Sequence, residues 1–385
     1  MSVAHPATAT VPSRVERSPR ALRVTVPLAG FNLSGGVKVL VTIANAMAAR
    51  GWAVELLAPD FADRSPFALA PGVRVRTLAT PRALPRSARA VVHYLRLAWA
   101  AARGADVCLA NYFPTVFCAV ASRLLRNRRA VVIYYAQGYE AHSHGLGAEA
   151  NLLSRVVRFA AAHGSYRLPA RLFCVSAWVA ERIGRAGSRV AHAPALDLEV
   201  FRPRPRAMRD RVTVGVIGRS GHNKGYAVFL EALGRVESRA RLDVLVASPR
   251  AGEVAPPPGV AAQVLEGLGE PEMAEFYGRC DIFVLPSYVE GFPLPPLEAM
   301  ASGCAVVTTA CGGVADYVDN DVNALVVSPG DAAALAAAID RLCAEGETRR
   351  RLGEAGVVTA RRFARDPLAA EFLDAVEDTW SRCRR

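Results

Sequence analysis

The sequence lacks a long uninterrupted apolar run, although 52% of its 385 residues are hydrophobic. No run of 18 apolar residues occurs without an Arg, Asp, Asn or Pro that breaks it, and a membrane-spanning helix needs about 20 predominantly apolar residues. No transmembrane helix is therefore expected. Residues 1–20 also lack the apolar core of a signal peptide. Their content of Pro, Ser, Thr and Arg predicts a disordered tail.

The eight cysteines lack the spacing of a metal site or a disulfide framework. No C-x-x-C pair occurs, and most of the cysteines lie within apolar, strand-like segments. This usage is typical of buried thiols in a reducing compartment, which predicts a cytoplasmic protein. We expect neither a zinc site nor disulfides.

Acidic residues are fewer than basic ones, 35 against 47, which gives a net charge of +12. Such an excess is typical of proteins that bind nucleic acid or an anionic membrane surface. Much of it is arginine, as expected of a GC-rich genome. Because no basic motif interleaved with aromatic residues is present, we expect no nucleic acid partner.

One basic segment, between Leu84 and Arg103, has the periodicity of an amphipathic helix. Its basic residues recur at intervals of three and four, with Val92, Leu95 and Trp99 on the opposite side. Such a helix can lie on an anionic bilayer, but more often its apolar side packs on the protein core. A peripheral membrane contact is therefore one of two interpretations. The basic residues are Arg86, Arg89, His93, Arg96 and Arg103, and Arg123, Arg126, Arg128 and Arg129 could extend the same face.

The length of the chain exceeds one typical core, so two domains are expected. Residues 22–29, 37–50 and 52–58 alternate as strand, helix and strand, which predicts a parallel sheet with right-handed crossovers. A proline and arginine cluster follows Phe201, and we place the domain boundary between residues 203 and 204. The pattern predicts an α/β protein.

Two glycine-rich turns follow predicted strands. Gly35 and Gly36 precede the first helix, where missing side chains let backbone amides approach a phosphate. Gly218 opens a second turn, in which Arg219 and Lys224 stand five residues apart. Their guanidinium and ammonium groups suit a diphosphate, although the turn is not a P-loop. A plain tight turn and solvated cations are the alternative interpretations.

Two carboxylates lie in a strand-loop-helix unit that begins near residue 281. Glu290 falls on its loop, and Glu298 falls about one turn inside the helix that follows. In open α/β sheets, ligands bind outside the carboxyl ends of the strands. Loop amides beside two carboxylates suit a phosphorylated polyol, with the amides on phosphate and the carboxylates on hydroxyls.

The segment Ser-x-x-Glu-Gly-Phe through Glu-Ala-Met-Ala-x-Gly, with seven residues between its glutamates, resembles the E-x7-E signature of the retaining glycosyltransferases of family 4. These enzymes adopt the GT-B fold. The resemblance implies that Glu290, with the amides of Gly291 and Phe292, contacts the donor sugar and phosphate. It implies that Glu298 holds the nucleotide ribose, and that the Gly218 turn binds the diphosphate through Arg219 and Lys224.

The loop after the predicted strand 130–136 departs from the family pattern. Many members carry a His or Asp that faces the donor sugar, and Gln137 stands in that place. Glutamine cannot act as an acid or base, but it can donate and accept hydrogen bonds. The Gln-x-Tyr-Glu form resembles a subset that includes rhamnosyltransferases. Glu140 could bind or deprotonate an acceptor hydroxyl, and His142 is a further polar group for the acceptor.

The resemblance implies two Rossmann-like domains with parallel sheets facing a cleft. Residues 21–203 would form the acceptor domain, residues 204–366 the nucleotide-sugar domain, and residues 367–385 a helix that crosses back to the first domain. The implied reaction moves a sugar from a nucleoside-diphosphate donor to a hydroxyl of a glycan or lipid-linked acceptor, with retention and without cofactor or metal. Such an enzyme would serve cell-surface polysaccharide or glycolipid assembly, in the cytoplasm or at the inner membrane face.

Two other functions fit parts of this pattern. A GT-B nucleotide-sugar 2-epimerase would need carboxylates placed for elimination at the sugar ring, which this context does not offer. A non-catalytic nucleotide-sugar-binding or assembly protein is suggested by Gln137 in the place of the usual histidine. Turnover of a donor distinguishes the catalytic interpretation from the non-catalytic one.

Overall fold

The structure is a computed structural model, which describes residues 21–31, 35–61, 65, 67–140, 152–205, 210–250 and 252–385, without the side chains of residues 152, 154 and 222. The predicted tail over residues 1–20 lies outside the described residues. So does His142.

The first sheet is parallel throughout, with strand order β3-β2-β1-β4-β5-β6-β7. Every residue of the central strands β4 and β5 is buried, because helices cover both faces of the sheet. Their sequences therefore show no alternation. The strands are β1 (Arg23–Pro27), β2 (Ala53–Pro59), β3 (Val73–Leu78), β4 (Val107–Ala110), β5 (Val131–Ala136), β6 (Arg171–Cys174) and β7 (Arg189–Val190).

Five described helices belong to the first sheet: α1 (Gly35–Ala49), α2 (Arg86–Ala100), α3 (Phe113–Arg126), α4 (Leu152–Ser165) and α5 (Ala177–Ile183). Helix α3 packs between α2 and α4. Gly35 and Gly36 form the first turn of α1, whereas the sequence predicted them as the end of a loop.

The second sheet is also parallel, with strand order β10-β9-β8-β11-β12-β13. Its strands are β8 (Val212–Ile217), β9 (Leu242–Ser248), β10 (Ala261–Glu266), β11 (Ile282–Leu285), β12 (Ala305–Thr309) and β13 (Leu325–Val327). Its helices are α6 (Tyr226–Arg235), α7 (Glu270–Arg279), α8 (Leu294–Ala301), α9 (Ala332–Ala344) and α10 (Gly346–Arg361).

One further helix, α11 (Arg365–Arg382), follows the second sheet but packs on the first domain. Its Phe372 is buried, with its ring edge-on to Tyr135 at 5.0 Å and to Phe173 at 5.7 Å. Arg50, the residue after α1, pairs with Asp374 of α11 at 2.5 Å. The helix therefore completes the core around the first sheet.

Strand β3 has no counterpart in the sequence analysis. Its exposed Arg74 and partly buried Arg76 interrupt the apolar pattern, because β3 is an edge strand with one neighbour. Edge strands carry fewer buried side chains, so their sequence signal is weak.

Of the two interpretations of α2, the structure contradicts the one that packs Leu95 and Trp99 on the protein core. His93, predicted on the basic side, is buried with Leu97, and its Nε2 lies 2.9 Å from the carbonyl oxygen of Leu28. Leu95 and Trp99, predicted on the core side, are 66% and 54% exposed. The hydrogen bond lets a neutral imidazole replace an apolar core residue, and burial lowers the pKa of His93.

Candidate functional site

A cleft of about 690 Å³ lies between the two domains, at the carboxyl ends of strands from both sheets. Most of the predicted site residues line it. They come from α1, from the loop after β5 and from the loops after β8 and β11, which are far apart in the chain. The lining residues are Gly35, Gly36, Gln137, Arg219, Lys224, Glu290, Gly291, Phe292 and Glu298.

The glycine turn after β8 places two cations at this cleft. Arg219 lines the cleft. Hydrogen bonds from Ser220 lower the pKa of the nearby Glu253, and the charge of Arg219 contributes to this shift. Lys224 precedes Gly225, whose φ of +68° and close approach to the Pro286 carbonyl exclude a side chain. This packing fixes the turn against the loop that carries Glu290.

The carboxylate of Glu290 is held by two donors from the second domain. Lys224 Nζ lies 2.8 Å from Glu290 Oε1, and the hydroxyl of Ser287 donates to the same oxygen at 2.9 Å. The backbone of Glu290 bonds to Cys311 and Gly313, with N to O distances of 2.7 and 3.0 Å. Both the side chain and the backbone of Glu290 are thus fixed.

The loop after Glu290 offers donors to the cleft. Among the described residues, no acceptor is found for the N–H groups of Gly291 and Phe292. A side chain at Gly291 would collide with the Gln137 carbonyl, so the loop reaches the first domain only because residue 291 is glycine. Two amides and two cations therefore converge near one carboxylate, as an anion site requires.

Glu298 lies in α8 and is 8% exposed. The hydroxyl of Tyr277 donates to its Oε2 at 3.0 Å, and Lys38 Nζ of α1 lies 3.1 Å from its Oε1. Lys38 also pairs with Glu270 at 2.8 Å. Burial lowers the pKa of Lys38, but the two carboxylates outweigh burial and the net change is upward. An ion triad thus joins the two domains.

The sequence analysis missed Lys38, although a signal was present. Of the 47 basic residues, Lys38 and Lys224 are the two lysines and the rest are arginines. Both lysines line the cleft. In a chain whose basic residues are otherwise arginine, a lysine marks a position that requires a compact ammonium group.

Gln137 lies where the two domains meet. Its side chain donates to the carbonyl of Gly36 at 3.2 Å, so it joins the loop after β5 to the start of α1. The backbone of Gly291 lies directly against it. Gln137 is therefore placed beside the loop of Glu290, and its contact with a donor sugar stays a prediction.

Two further interdomain contacts were not anticipated. Ser176 caps α5 by accepting from Val179 N at 3.2 Å, and its hydroxyl also donates to the carbonyl of Gly291 at 2.6 Å. Asp316 accepts from Ala177 N at 2.8 Å and lies 2.9 Å from Nε2 of His192. Asp316 thus binds the first domain at the start of α5.

Glu140 does not line the cleft. Its carboxyl accepts from Phe113 N, the first residue of α3, at 3.0 Å and from the hydroxyl of Tyr134 at 3.1 Å. Burial raises the pKa of Glu140 to about 7, against the opposing effect of these two hydrogen bonds. The structure gives this residue a structural contact, and its acceptor role stays a prediction.

Among the described residues, no group of three or more His, Cys, Asp or Glu side chains is placed to hold a metal ion. The expectation of a metal-independent reaction stays a prediction. All eight cysteines are free. Among the described helices, none combines the length and the apolar content needed to cross a bilayer.

Family comparisons match each domain separately. Residues 33–194 match the model described as "Glycosyltransferase Family 4", and residues 211–345 match the model described as "Glycosyl transferases group 1". Each domain is therefore similar to a glycosyltransferase domain. These matches agree with the prediction of a sugar-transferring enzyme, whereas the role of the E-x7-E motif and the rhamnosyltransferase-like subset stay predictions.

Curated glycosyltransferases are similar to part of the chain. A D-inositol 3-phosphate glycosyltransferase of Xylanimonas cellulosilytica is 33% identical over 204 residues, 47% of this chain and 49% of the relative. An MMP alpha-(1->4)-mannosyltransferase of Mycolicibacterium hassiacum is 30% identical over 169 residues, 42% of this chain and 41% of the relative. The chain spans about half the length of the curated relatives it matches.

Solved structures confirm the GT-B fold over nearly the whole chain. Sucrose-phosphate synthase from Thermosynechococcus elongatus superposes with a TM-score of 0.79 at 19% identity, covering 94% of this chain and 100% of that one. HepE of Anabaena, in complex with UDP-glucose, has a TM-score of 0.70 at 15% identity, covering 93% and 100%. At these identities, the likeness concerns the fold alone.

Proposed function

We propose that the protein transfers a sugar from a nucleoside-diphosphate donor to an acceptor hydroxyl, with retention of the anomeric configuration. One observation carries the proposal. Arg219, Lys224 and the amides of Gly291 and Phe292 converge on the cleft beside the fixed carboxylate of Glu290. This arrangement suits a diphosphate bonded to a polyhydroxylated ring.

In the proposed reaction, the bond between the anomeric carbon and the diphosphate oxygen breaks, and its electrons stay on the leaving oxygen. Arg219, Lys224 and the loop amides stabilise that charge, which is the largest electrostatic change in the step. The acceptor oxygen bonds to the anomeric carbon on the same face, and its proton passes to the leaving phosphate. Gly218 lets the backbone approach the phosphates.

Glu290 and Glu298 have different parts in this proposal. Glu290 orients the sugar ring through its hydroxyls while Lys224 keeps the carboxylate in place. Glu298 accepts hydrogen bonds from the ribose, since each carboxylate oxygen keeps a lone pair beyond those used by Lys38 and Tyr277. A sugar covalently bound to Glu290 would contradict the front-face displacement.

The relatives support the donor class and leave the acceptor open. HepE was crystallised with UDP-glucose, and the curated relatives are named for transfer to D-inositol 3-phosphate and for mannosyl transfer. For this chain we propose a glycan or lipid-linked acceptor bound by the first domain, in cell-surface polysaccharide or glycolipid assembly. Eight free cysteines support a reducing, cytoplasmic location.

The test is a panel of UDP-, GDP- and dTDP-linked sugars, including dTDP-L-rhamnose, scored by thermal shift and then by slow donor hydrolysis. Glu298→Gln keeps the shape and the Tyr277 contact of the wild-type side chain but loses its charge. Glu354→Gln, on the exposed side of α10, is the matched control. We expect one donor to shift the wild type and the control, and to shift Glu298→Gln less.

Two results would overturn the proposal. If no donor binds and none is hydrolysed, the donor class is wrong. If a donor binds but is not turned over with any acceptor glycan or lipid extract, the non-catalytic nucleotide-sugar-binding function is correct instead. Conversion of the donor into its 2-epimer would identify the epimerase.

A further inference from the structure

Helices α2, α3 and α4 form one continuous outer surface of the first domain, which we call the α2–α4 face. The three helices contain three, two and two arginines, and none contains Asp or Glu. One of these arginines, Arg89, is neutralised by Asp60, which lies 3.2 Å away and outside the three helices. Elsewhere on protein surfaces both signs of charge are normally interspersed. The α2–α4 face is therefore a concentrated source of positive charge.

The same helices expose large apolar side chains. Of the 16 exposed large hydrophobic residues in the described chain, ten lie on these three helices. Isolated exposed apolar residues are normal, but a contiguous group marks an interaction site. The ten are Val91, Leu95, Trp99, Phe117, Leu124, Leu125, Leu153, Val156, Val157 and Phe159.

Apolar and cationic groups are interleaved on this face. Val91, Leu95 and Trp99 recur at intervals of four along α2, so they form a single exposed stripe. The guanidinium of Arg126 lies 4.0 Å from the centroid of the Trp99 ring, which joins α2 to α3. Tryptophan beside arginine is typical of the level at which lipid headgroups meet acyl chains.

The positive charge and the apolar residues of the face distinguish between three kinds of partner: a second copy of the face, nucleic acid and a lipid bilayer. A second copy of this face would set arginines against arginines, and that juxtaposition opposes association. Nucleic acid attracts arginine, but it offers no apolar phase for exposed leucine and valine. An anionic bilayer offers phosphate headgroups for the arginines and a hydrocarbon boundary for the aliphatic stripe.

We propose that the α2–α4 face docks the protein onto an anionic lipid bilayer. The apolar stripe enters the headgroup boundary, and the arginines contact the headgroup phosphates. If the proposed glycosyl transfer also holds, docking brings the first domain close to acceptors carried by lipids. Docking itself is independent of sugar transfer, so either can fail alone.

The experiment is vesicle co-sedimentation of the full chain, with phosphatidylglycerol-containing vesicles and with pure phosphatidylcholine vesicles. The test variant is the triple substitution Leu95→Glu, Leu125→Glu and Val157→Glu, one residue on each helix. The matched control is Val358→Glu on α10, which is 63% exposed, against 66% for Leu95. Thermal unfolding of each variant shows whether it is folded.

We expect binding to the anionic vesicles, weak binding to the neutral ones, and a loss of at least about tenfold in the triple variant. Val358→Glu should bind as the wild type does. Arg96→Ala, a single exposed arginine on α2, should weaken binding about fivefold.

Four outcomes would overturn the proposal. The first is no binding to anionic vesicles. The second is a loss of binding free energy in the folded triple variant of about three times that in Val358→Glu, since the three added charges would then explain it without the α2–α4 face. The third is a dimer of the free protein that the triple variant dissociates. The fourth is binding to nucleic acid that depends on Leu95, Leu125 and Val157.

Discussion

The two domains share one plan, a parallel sheet between helices, yet they carry charge differently. On the outer helices of the second domain, arginines pair with acids. Arg350 lies 2.6 Å from both Glu347 and Glu354. On the α2–α4 face, exposed arginines stand among leucine, valine and tryptophan.

At the cleft, most of the charged side chains come from the second domain. The second domain contributes Arg219, Lys224, Glu270, Glu290 and Glu298, whereas the first domain contributes one charged side chain among the described lining residues before α11, Lys38. The positive charges behind the net charge of +12 are therefore distributed unevenly over the protein. A basic residue indicates a partner only when no acid beside it neutralises it, and local pairing must be counted first.

The largest loss of donor turnover should come from a substitution on the second-domain side of the cleft. Lys224→Met removes a cation from the leaving diphosphate, and we expect donor turnover to fall about 10²- to 10³-fold. Gln137→Met, on the first-domain edge, should lower turnover about tenfold or less, since it removes no charge. Steady-state kinetics with the donor found in the panel measures both. Equal losses would break the contrast between the two edges.

The buried acid of the first domain should make stability depend on pH. The pKa of Glu140 is about 7 in the folded protein and near 4.5 when unfolded, so the folded state holds this proton more tightly. Stability contributed by this group is present below about pH 4.5 and is lost as pH rises to about 7. The variant Glu140→Gln lacks the ionisable group and therefore does not show this loss. From pH 5 to 8, its free energy of unfolding should rise by about 2 kcal/mol relative to that of the wild type.

Urea denaturation of the wild type and Glu140→Gln at several pH values measures this difference. Glu354→Gln, at an exposed carboxylate of the second domain, serves as the control and should follow the wild type. Parallel pH profiles for all three proteins would show that Glu140 ionises normally.

Two aspartates of the second domain allow the stability contribution of a buried carboxylate to be compared with that of an exposed one. The Asp316 carboxylate is 6% exposed and bonds to Ala177 N and His192 across the domain interface. Asp316→Asn should lower the free energy of unfolding by about 1–2 kcal/mol, because the Ala177 N–H and His192 lose a charged acceptor that is itself buried. Asp321→Asn breaks only exposed ion pairs with Arg341 and Arg351, and should leave the urea midpoint unchanged. An equal shift in both would contradict this distinction.

The smallest of the expected effects is that of salt on the thermal stability of the fold. Raising NaCl from about 0.05 M to about 0.5 M screens the surface pairs of α10, and the thermal midpoint should change by only a degree or so. If the proposed docking holds, the same change should release the protein from anionic vesicles, because salt screens the attraction between the arginines of the α2–α4 face and the headgroup phosphates. A large shift of the midpoint would mean that surface pairs stabilise the second domain more than we infer.

The features predicted correctly from sequence are local in the chain. Glu290 and Glu298 lie on one strand-loop-helix unit, and Arg219 and Lys224 lie on one turn, so their placement follows from short-range pattern. Lys38 meets Glu298 from 260 residues away, and Asp316 meets Ala177 from 139 residues away. No local pattern encodes such pairs, because they depend on how the two domains face each other.

The orientation of α2 was missed for a different reason. Leucine and tryptophan are usually buried and histidine often is not, so residue type favours burial of Leu95 and Trp99 over His93. In the structure, one imidazole nitrogen of His93 bonds to the Leu28 carbonyl, and the apolar stripe faces outward. At a binding surface, residue types that are usually buried can face outward. A prediction based on their usual burial is therefore wrong at such a surface.

The crossing of α11 has a consequence for biosynthesis. Phe372 fills the core between Tyr135 and Phe173, so the first domain is incomplete until the ribosome has added residues from the far side of the second domain. The second sheet can form while the first still has an open hydrophobic groove. A ribosome-stalled chain ending near residue 360 should therefore bind a chaperone at the first domain, and a chain released after Arg382 should not.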